Sequence, residues 1–226
     1  MASTQNYAQN TLKFNWPIVG SLLFLTGLAG LPAIAIVTLS LMGPNAITGI
    51  SSLLNQVYFE TPAALYVHGG AGILYFLTMP WQFSPRIRHK YPVWHKVAGR
   101  IVLISGCVMA VSGIWLHQVL SPHEQGARFY SLIFTSGMIC VAFAMAISQI
   151  SQRKVQAHQR WMARAVALTL TAITPLFVDL LILLLFSHVD TIYDLIVKLH
   201  FDYGRLLAMV INLTIVEIAL NKRFKH

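Results

Sequence analysis

Six long apolar runs fill this chain, separated by short polar turns. They cover residues of about 17–42, 62–82, 98–119, 129–149, 163–187 and 203–221. Runs near 20 residues suffice to cross a bilayer core as helices. The pattern predicts an all-α, polytopic membrane helix bundle of six transmembrane helices in a single domain over 1–226. Gly43 to Thr61 links the first two runs, and its centre, ITGISSLLNQVYF, reads as a short helix along the interface.

Polar positions inside the runs are not scattered. The second run carries His68, Gly72, Tyr75, Met79 and Gln82, with offsets of 4, 3, 4 and 3 that keep them on one helical face. That face belongs inside the bundle, because lipid is a poor partner for imidazole and amide groups. In the third run Gly99, Gly106 and Gly113 recur every seven residues, with Ser105 and Ser112 adjoining. Small residues on one stripe let a neighbouring backbone approach. Gly20, Gly27, Gly30 and Pro32 imply a bent or closely packed first run. Thr171, Pro175 and Asp179 share a side of the fifth, and Arg205, Met209 and Asn212 a side of the sixth. Pro175 frees a carbonyl, and Thr171 or Thr174 can help satisfy the kink.

Composition agrees: 56% of residues are hydrophobic and 10% charged, against roughly 25% charged in soluble domains. The net charge of +9 would suggest nucleic acid in a soluble protein, but its distribution points to a membrane instead. Thirteen of the sixteen Lys and Arg fall on the N-terminus, the second and fourth loops and the tail, leaving Arg128, Lys198 and Arg205 on the other side. The positive-inside rule then places both termini in the cytoplasm, with membrane lipid rather than nucleic acid as the partner. Cys107 and Cys140 lie within apolar runs and read as packing residues. The N-terminal stretch lacks a basic leader and a small-residue cleavage site, so no cleaved signal peptide is expected.

The middle of the chain hints at a repeat. Gln82, Arg88, His95 and Arg100 close the hairpin of runs two and three, and Gln149, Arg153, His158 and Arg164 that of runs four and five. Two similar hairpins would form a four-helix core, flanked by runs one and six.

Depth sorts the polar groups. His68 and Asp179 lie about six residues, roughly 9 Å, inside the outer edge, with His117 and Arg205 slightly shallower. His68–Asp179 or Arg205–Asp179 are the expected pairs, since a buried charge needs a partner. At the inner face, His95, Arg100, His158 and Arg164 sit near Trp81, Trp94 and Trp161. They read either as headgroup anchors or as a site for an anion or quinone headgroup.

Histidines in a helical membrane bundle raise haem b, through His68 with His117 or His95 with His158. The pattern is partly similar to the transmembrane b-type cytochromes with two haems. It departs from them, because His95 to His117 would span roughly 33 Å, more than the hydrocarbon core. A closer resemblance covers runs two to five. Pro80, Gln82 and Arg88, then His95, Gly99 and Arg100, then His158, Trp161, Met162 and Arg164, with His68 upstream, resemble the motifs of a family of bacterial integral-membrane proteins. That family is a domain of unknown function, number twenty-three-oh-six. Lys96 stands where that family commonly has Arg. The resemblance implies a bacterial inner-membrane location and marks these residues, but brings no activity.

Three readings stay open. One is a redox protein that binds haem or quinone through His68, His117, His95 and His158. Another is a permease or sensor with a cavity lined by His68, Tyr75, Asp179, Arg205 and Asn212, with Gln82 on the same polar face. The third is a non-catalytic membrane subunit. No P-loop, G-x-S-x-G, HExxH or CxxC occurs in the chain.

Overall fold

The computed structural model describes residues 14–45 and 54–224, and every regular element among them is helical. The helices are α1 (Trp16–Met42), α2 (Val57–Glu60), α3 (Pro62–Thr78), α4 (Pro85–Lys90), α5 (Pro92–Leu120), α6 (Ala127–Ser151), α7 (Val155–Thr169), α8 (Thr174–Phe186) and α9 (Asp190–Phe224). Turns of 3₁₀ helix at Pro80–Phe83 and Leu170–Ala172 follow α3 and α7. Proline opens α1, α3, α4, α5 and α8. Its missing N–H costs nothing there and its fixed φ suits the first turn.

Among the described residues four helices are long and apolar enough to cross a membrane: α1, α5, α6 and residues Ile192–Lys222 of α9. The count is five if α7 and α8 form one broken span, bent by 50° at Ile173. The expected count of six meets two departures. The second run yields a 17-residue helix, because Pro80 cannot continue the α pattern and Pro80–Phe83 tightens into a 3₁₀ turn. The sixth begins at Asp190 rather than near 203, so residues expected in a loop are helical. The apolar outside, where Leu31, Ile104, Leu184 and Val210 are all more than half exposed, suits lipid as solvent. Of the expected interfacial helix, Val57–Glu60 forms one turn. Residues 46–53, and the N-terminal stretch up to 13, lie outside the described residues.

The buried apolar cluster draws on α3 (Tyr75, with Met79 just beyond it), α5 (Val102, Ala110), α6 (Ile139, Ala142, Phe143) and α7 (Ala165, Val166, Leu168). The α3–α5 seam is the most regular part of the packing. His68, Tyr75 and Gln82 descend one face of α3 and its 3₁₀ extension at seven-residue steps, and Gly113, Gly106 and Gly99 ascend α5 at the same step. Each polar side chain sits over one glycine. A methyl at Gly113 would lie 3.2 Å from the His68 ring, one at Gly106 3.2 Å from Tyr75, and one at Gly99 3.4 Å from Gln82 Oε1. At Gly106 the ring of Phe143 comes closer still, 2.5 Å from that methyl position. The glycines of one run are therefore the sockets for the polar stripe of the other.

Side-chain hydrogen bonds bridge the α7–α8 break. Thr171 donates to the Leu168 carbonyl at 2.7 Å, and the Thr174 hydroxyl lies 3.1 Å from that of Leu170. Asn212 of α9 accepts from Thr174 at 2.9 Å and donates to the Ala167 carbonyl at 3.0 Å. A carbonyl freed in an apolar bundle needs such a partner.

Candidate functional site at the basic end of the bundle

Most buried polar groups find partners within a native fold, so an unpartnered one calls for a reason. Among the described residues three buried side-chain nitrogens have none: Gln82 Nε2, His95 Nδ1 and His200 Nε2. The first two lie together, at the end of the bundle that carries the arginine-rich turns.

Local sequence builds this site. Ser84 caps α4, accepting the Ile87 N–H at 3.3 Å, so Arg88 falls in a short helix across the bundle end. Pro92 starts α5, which puts His95 in its first turn, and Gly99 one turn later admits the Gln82 amide. His158 occupies the first turn of α7 and donates from Nδ1 to the Ala146 carbonyl at 2.9 Å. Arg88 and His158 are the charged and titratable groups whose fields reach His95. The N-termini of α5 and α7, each with a positive dipole end, thus lie at this end of the bundle, with His158 near enough for its charge to be felt at His95. The arrangement can hydrogen-bond an electronegative atom, such as a carbonyl oxygen, carried on an apolar body.

The arginines expected here divide. Arg164 makes a two-point ion pair with Glu217 of α9, its second contact at 3.1 Å, and lies 4.8 Å over the Trp161 ring. Arg100 is exposed. Neither guanidinium contacts the buried pair, and the site is less anionic in preference than the sequence suggests.

The opposite end differs from expectation in its pairs. Asp179 bonds not to His68 or Arg205 but to His200, whose Nδ1 donates to its carboxylate at 2.6 Å. His200 was hidden from the sequence reading by the late start given to the sixth helix. His68 donates from Nδ1 to the Met109 carbonyl at 3.0 Å, beside Ser112 Oγ at 3.3 Å. His117 Nε2 donates to the Glu124 carbonyl at 3.0 Å and its ring stacks on Phe129. His68 is seated on the helix that carries His117, and each of the two rings bonds through one nitrogen to a backbone carbonyl. Arg205 is half-buried, within electrostatic range of His68 and Arg128, and makes no ion pair among the described residues. Tyr75 bonds to Thr169 at 2.9 Å. Asn212 is tied to the α7–α8 break, so Tyr75, Asp179, Asn212 and His68 each bond to a different partner. Cys107 and Cys140 are free thiols that meet across α5 and α6.

No curated protein and no solved structure matches the chain. A family model described as a predicted membrane protein, DUF2306, matches residues 65–220, from the third residue before His68 to the last turns of α9. The match covers well over half of the chain and takes in every residue of the basic end described above, so the protein belongs to this family of membrane proteins.

Proposed function

We propose that the chain crosses a bacterial inner membrane six times, with both termini cytoplasmic, and binds the headgroup of a quinone between Gln82, His95 and His158. The sixth crossing is α3 with its 3₁₀ extension, which together run from Pro62 to Phe83. The two hairpins α3–α5 and α6–α7 form the central four-helix layer, and the one-sided distribution of Lys and Arg supports the orientation. The observation that carries the binding reading is the pair of buried, unpartnered nitrogens on facing elements. A quinone carbonyl would accept from both. Because His158 spends its Nδ1 proton on Ala146, its Nε2 is an acceptor, suited to the O–H of the quinol form of such a headgroup. Arg164 is held by Glu217, which favours a neutral carbonyl over a free anion.

The test is titration of the purified protein in micelles with decyl-benzoquinone, read by quenching of Trp81 and Trp94 fluorescence. Saturable quenching is expected. Gln82→Met and His95→Phe should each weaken it about tenfold, the worth of one lost hydrogen bond in a dry site. Equal quenching in wild type and both variants would remove the reading. Haem b held by His95 and His158 is a second reading. It is favoured by the carbonyl that orients His158 and leaves Nε2 free, as in many ligating histidines. Oxidised and reduced absorption spectra of the same preparation decide it, since a protein without a Soret band carries no haem.

A further inference from the structure

Three cations stand on α4, and they face two ways. Arg88 is half-buried and its field reaches His95. Arg86 and Lys90, one helical turn apart, share another face and are exposed. They line a hollow of about 280 Å³, together with Phe14 and Trp16 from the entry to α1 and with Ile87 and Tyr91. The Phe14 ring lies 4.4 Å from that of Trp16 and 6.4 Å from that of Trp81, which ties the entry of α1 to the 3₁₀ turn. Lys90 Nζ stands 5.4 Å from the centre of the Tyr91 ring. Charge says what this hollow takes. Of the seven acidic side chains, Glu217 is the one at the basic end, and Arg164 holds it. Neither Arg86 nor Lys90 has an ion pair among the described residues, and residues 1–13 and 46–53 contain no Asp or Glu. No acidic side chain of this chain therefore balances the two cations.

We infer that this hollow binds the phosphate headgroup of an anionic phospholipid, with Arg86 and Lys90 on the phosphate and the rings of Trp16 and Tyr91 against the glycerol and the upper acyl chains. Trp16 opens the first membrane-crossing helix, so the hollow lies at the level where headgroups begin. Tryptophan and tyrosine favour that level, and Lys and Arg beside it attract anionic lipid. A soluble phosphate would meet the cations but leave the exposed Trp16 ring in water, whereas a lipid engages both. A zwitterionic lipid would bring its own ammonium among two cations and is disfavoured.

The experiment is native mass spectrometry of the full chain released from micelles, which counts bound lipids as dioctanoyl phosphatidylglycerol or dioctanoyl phosphatidylcholine is added. In the wild type the first phosphatidylglycerol should bind about tenfold more tightly than the first phosphatidylcholine. Arg86→Gln combined with Lys90→Gln should weaken phosphatidylglycerol about twentyfold, near fivefold for each cation, and leave phosphatidylcholine unchanged. Lys96→Gln combined with Lys154→Gln removes the same charge from exposed positions at the same end and should change binding by no more than about twofold. Glycerol phosphate, the headgroup alone, should displace the lipid only at about a hundredfold excess, since it lacks the apolar part. Equal binding of the two lipids by the wild type would overturn the proposal without any variant. Equal losses in the two double variants would mean diffuse surface charge and overturn it as well. Displacement by glycerol phosphate at equal concentration would make this a site for a soluble phosphate and overturn the lipid assignment. None of these outcomes bears on quinone binding, which has its own variants and readout.

Discussion

The two basic turns of this bundle, one after α3 and one after α6, carry the same residue types and end differently. Each passes from a glutamine through arginine to a histidine in the first turn of the next helix. His158 finds the Ala146 carbonyl, three residues before Gln149, because α6 runs unbroken to Ser151. Three residues before Gln82 stands Met79, whose carbonyl takes the Gln82 N–H in the 3₁₀ turn forced by Pro80. His95 is left without that acceptor. Two corners of like residue types thus carry one bonded histidine and one unpartnered one, and a repeat with two similar corners yields one closed corner and one open one. The arginines diverge likewise: Arg164 is clamped by Glu217, and Arg100 is exposed.

The largest expected effect concerns the seam that only the first hairpin has. Gly137, the glycine of α6, has open space where its side chain would be, whereas a methyl at Gly106 meets two buried rings. Gly106→Ala should destabilise the protein by about 1–3 kcal/mol through overpacking, and Gly137→Ala should change it by no more than about 0.5 kcal/mol. Thermal or denaturant transitions in micelles measure both. Similar losses at the two positions would mean that the sockets on α5 are not what holds the hairpin.

Next in size is the arginine pair. Arg164→Ala removes a charge-assisted, partly exposed pair and leaves Glu217 facing the bundle. The expected cost is about 1 kcal/mol, toward the low end for charged hydrogen bonds because water screens it. Arg100→Ala should lie within about 0.5 kcal/mol of wild type. Should the two prove interchangeable, the corners would be alike after all in their charges.

The histidines sharpen the comparison further. His158→Phe loses a hydrogen bond, so a cost of about 1 kcal/mol is expected. His95→Phe removes an unpartnered nitrogen from the interior and should leave the ligand-free protein as stable as wild type or slightly more so. That variant would be the one that loses quinone. A protein destabilised equally by both substitutions would have its His95 nitrogen satisfied.

Much of this was legible along the chain, and the failures share one cause. The heptad spacing of His68, Tyr75 and Gln82 and of Gly99, Gly106 and Gly113 is visible in the residues, because helical period fixes which positions share a face. That the two sets interlock was not, since a pattern on one helix does not name the helix it meets. The Asp179 partner was missed by fixing the sixth helix where continuous hydrophobicity begins. Upstream of it, Ile192, Leu195, Ile196, Leu199 and Tyr203 alternate with Asp194, Lys198 and Asp202 at helical spacing. An amphipathic first half continues the apolar second half without a break. The 3₁₀ turn at Pro80 was marked by its proline, but the lack of a partner for His95 was not, since that depends on groups distant in sequence and adjacent only in space.

The smallest expected effect separates the corners at the backbone. Arg153 has φ of 60°, a left-handed conformation. Around it the Lys154 N–H reaches the Gln149 carbonyl at 2.9 Å and the Arg153 N–H that of Ile150 at 2.9 Å. These two bonds close α6 in the manner for which glycine is favoured, since a Cβ crowds the backbone in that region. The first corner has no such residue, because Pro80 and the Ser84 cap set its path instead. Arg153→Gly should therefore raise stability by up to about 1 kcal/mol, offset in part by the greater freedom of glycine in the unfolded chain. Arg88→Gly, inside α4, should lower it by a similar amount, near the cost of glycine in a helix. A gain at 153 alongside a loss at 88 would show two turns of like composition built on opposite backbone logic, one closed by a left-handed residue and the other by a proline and a cap.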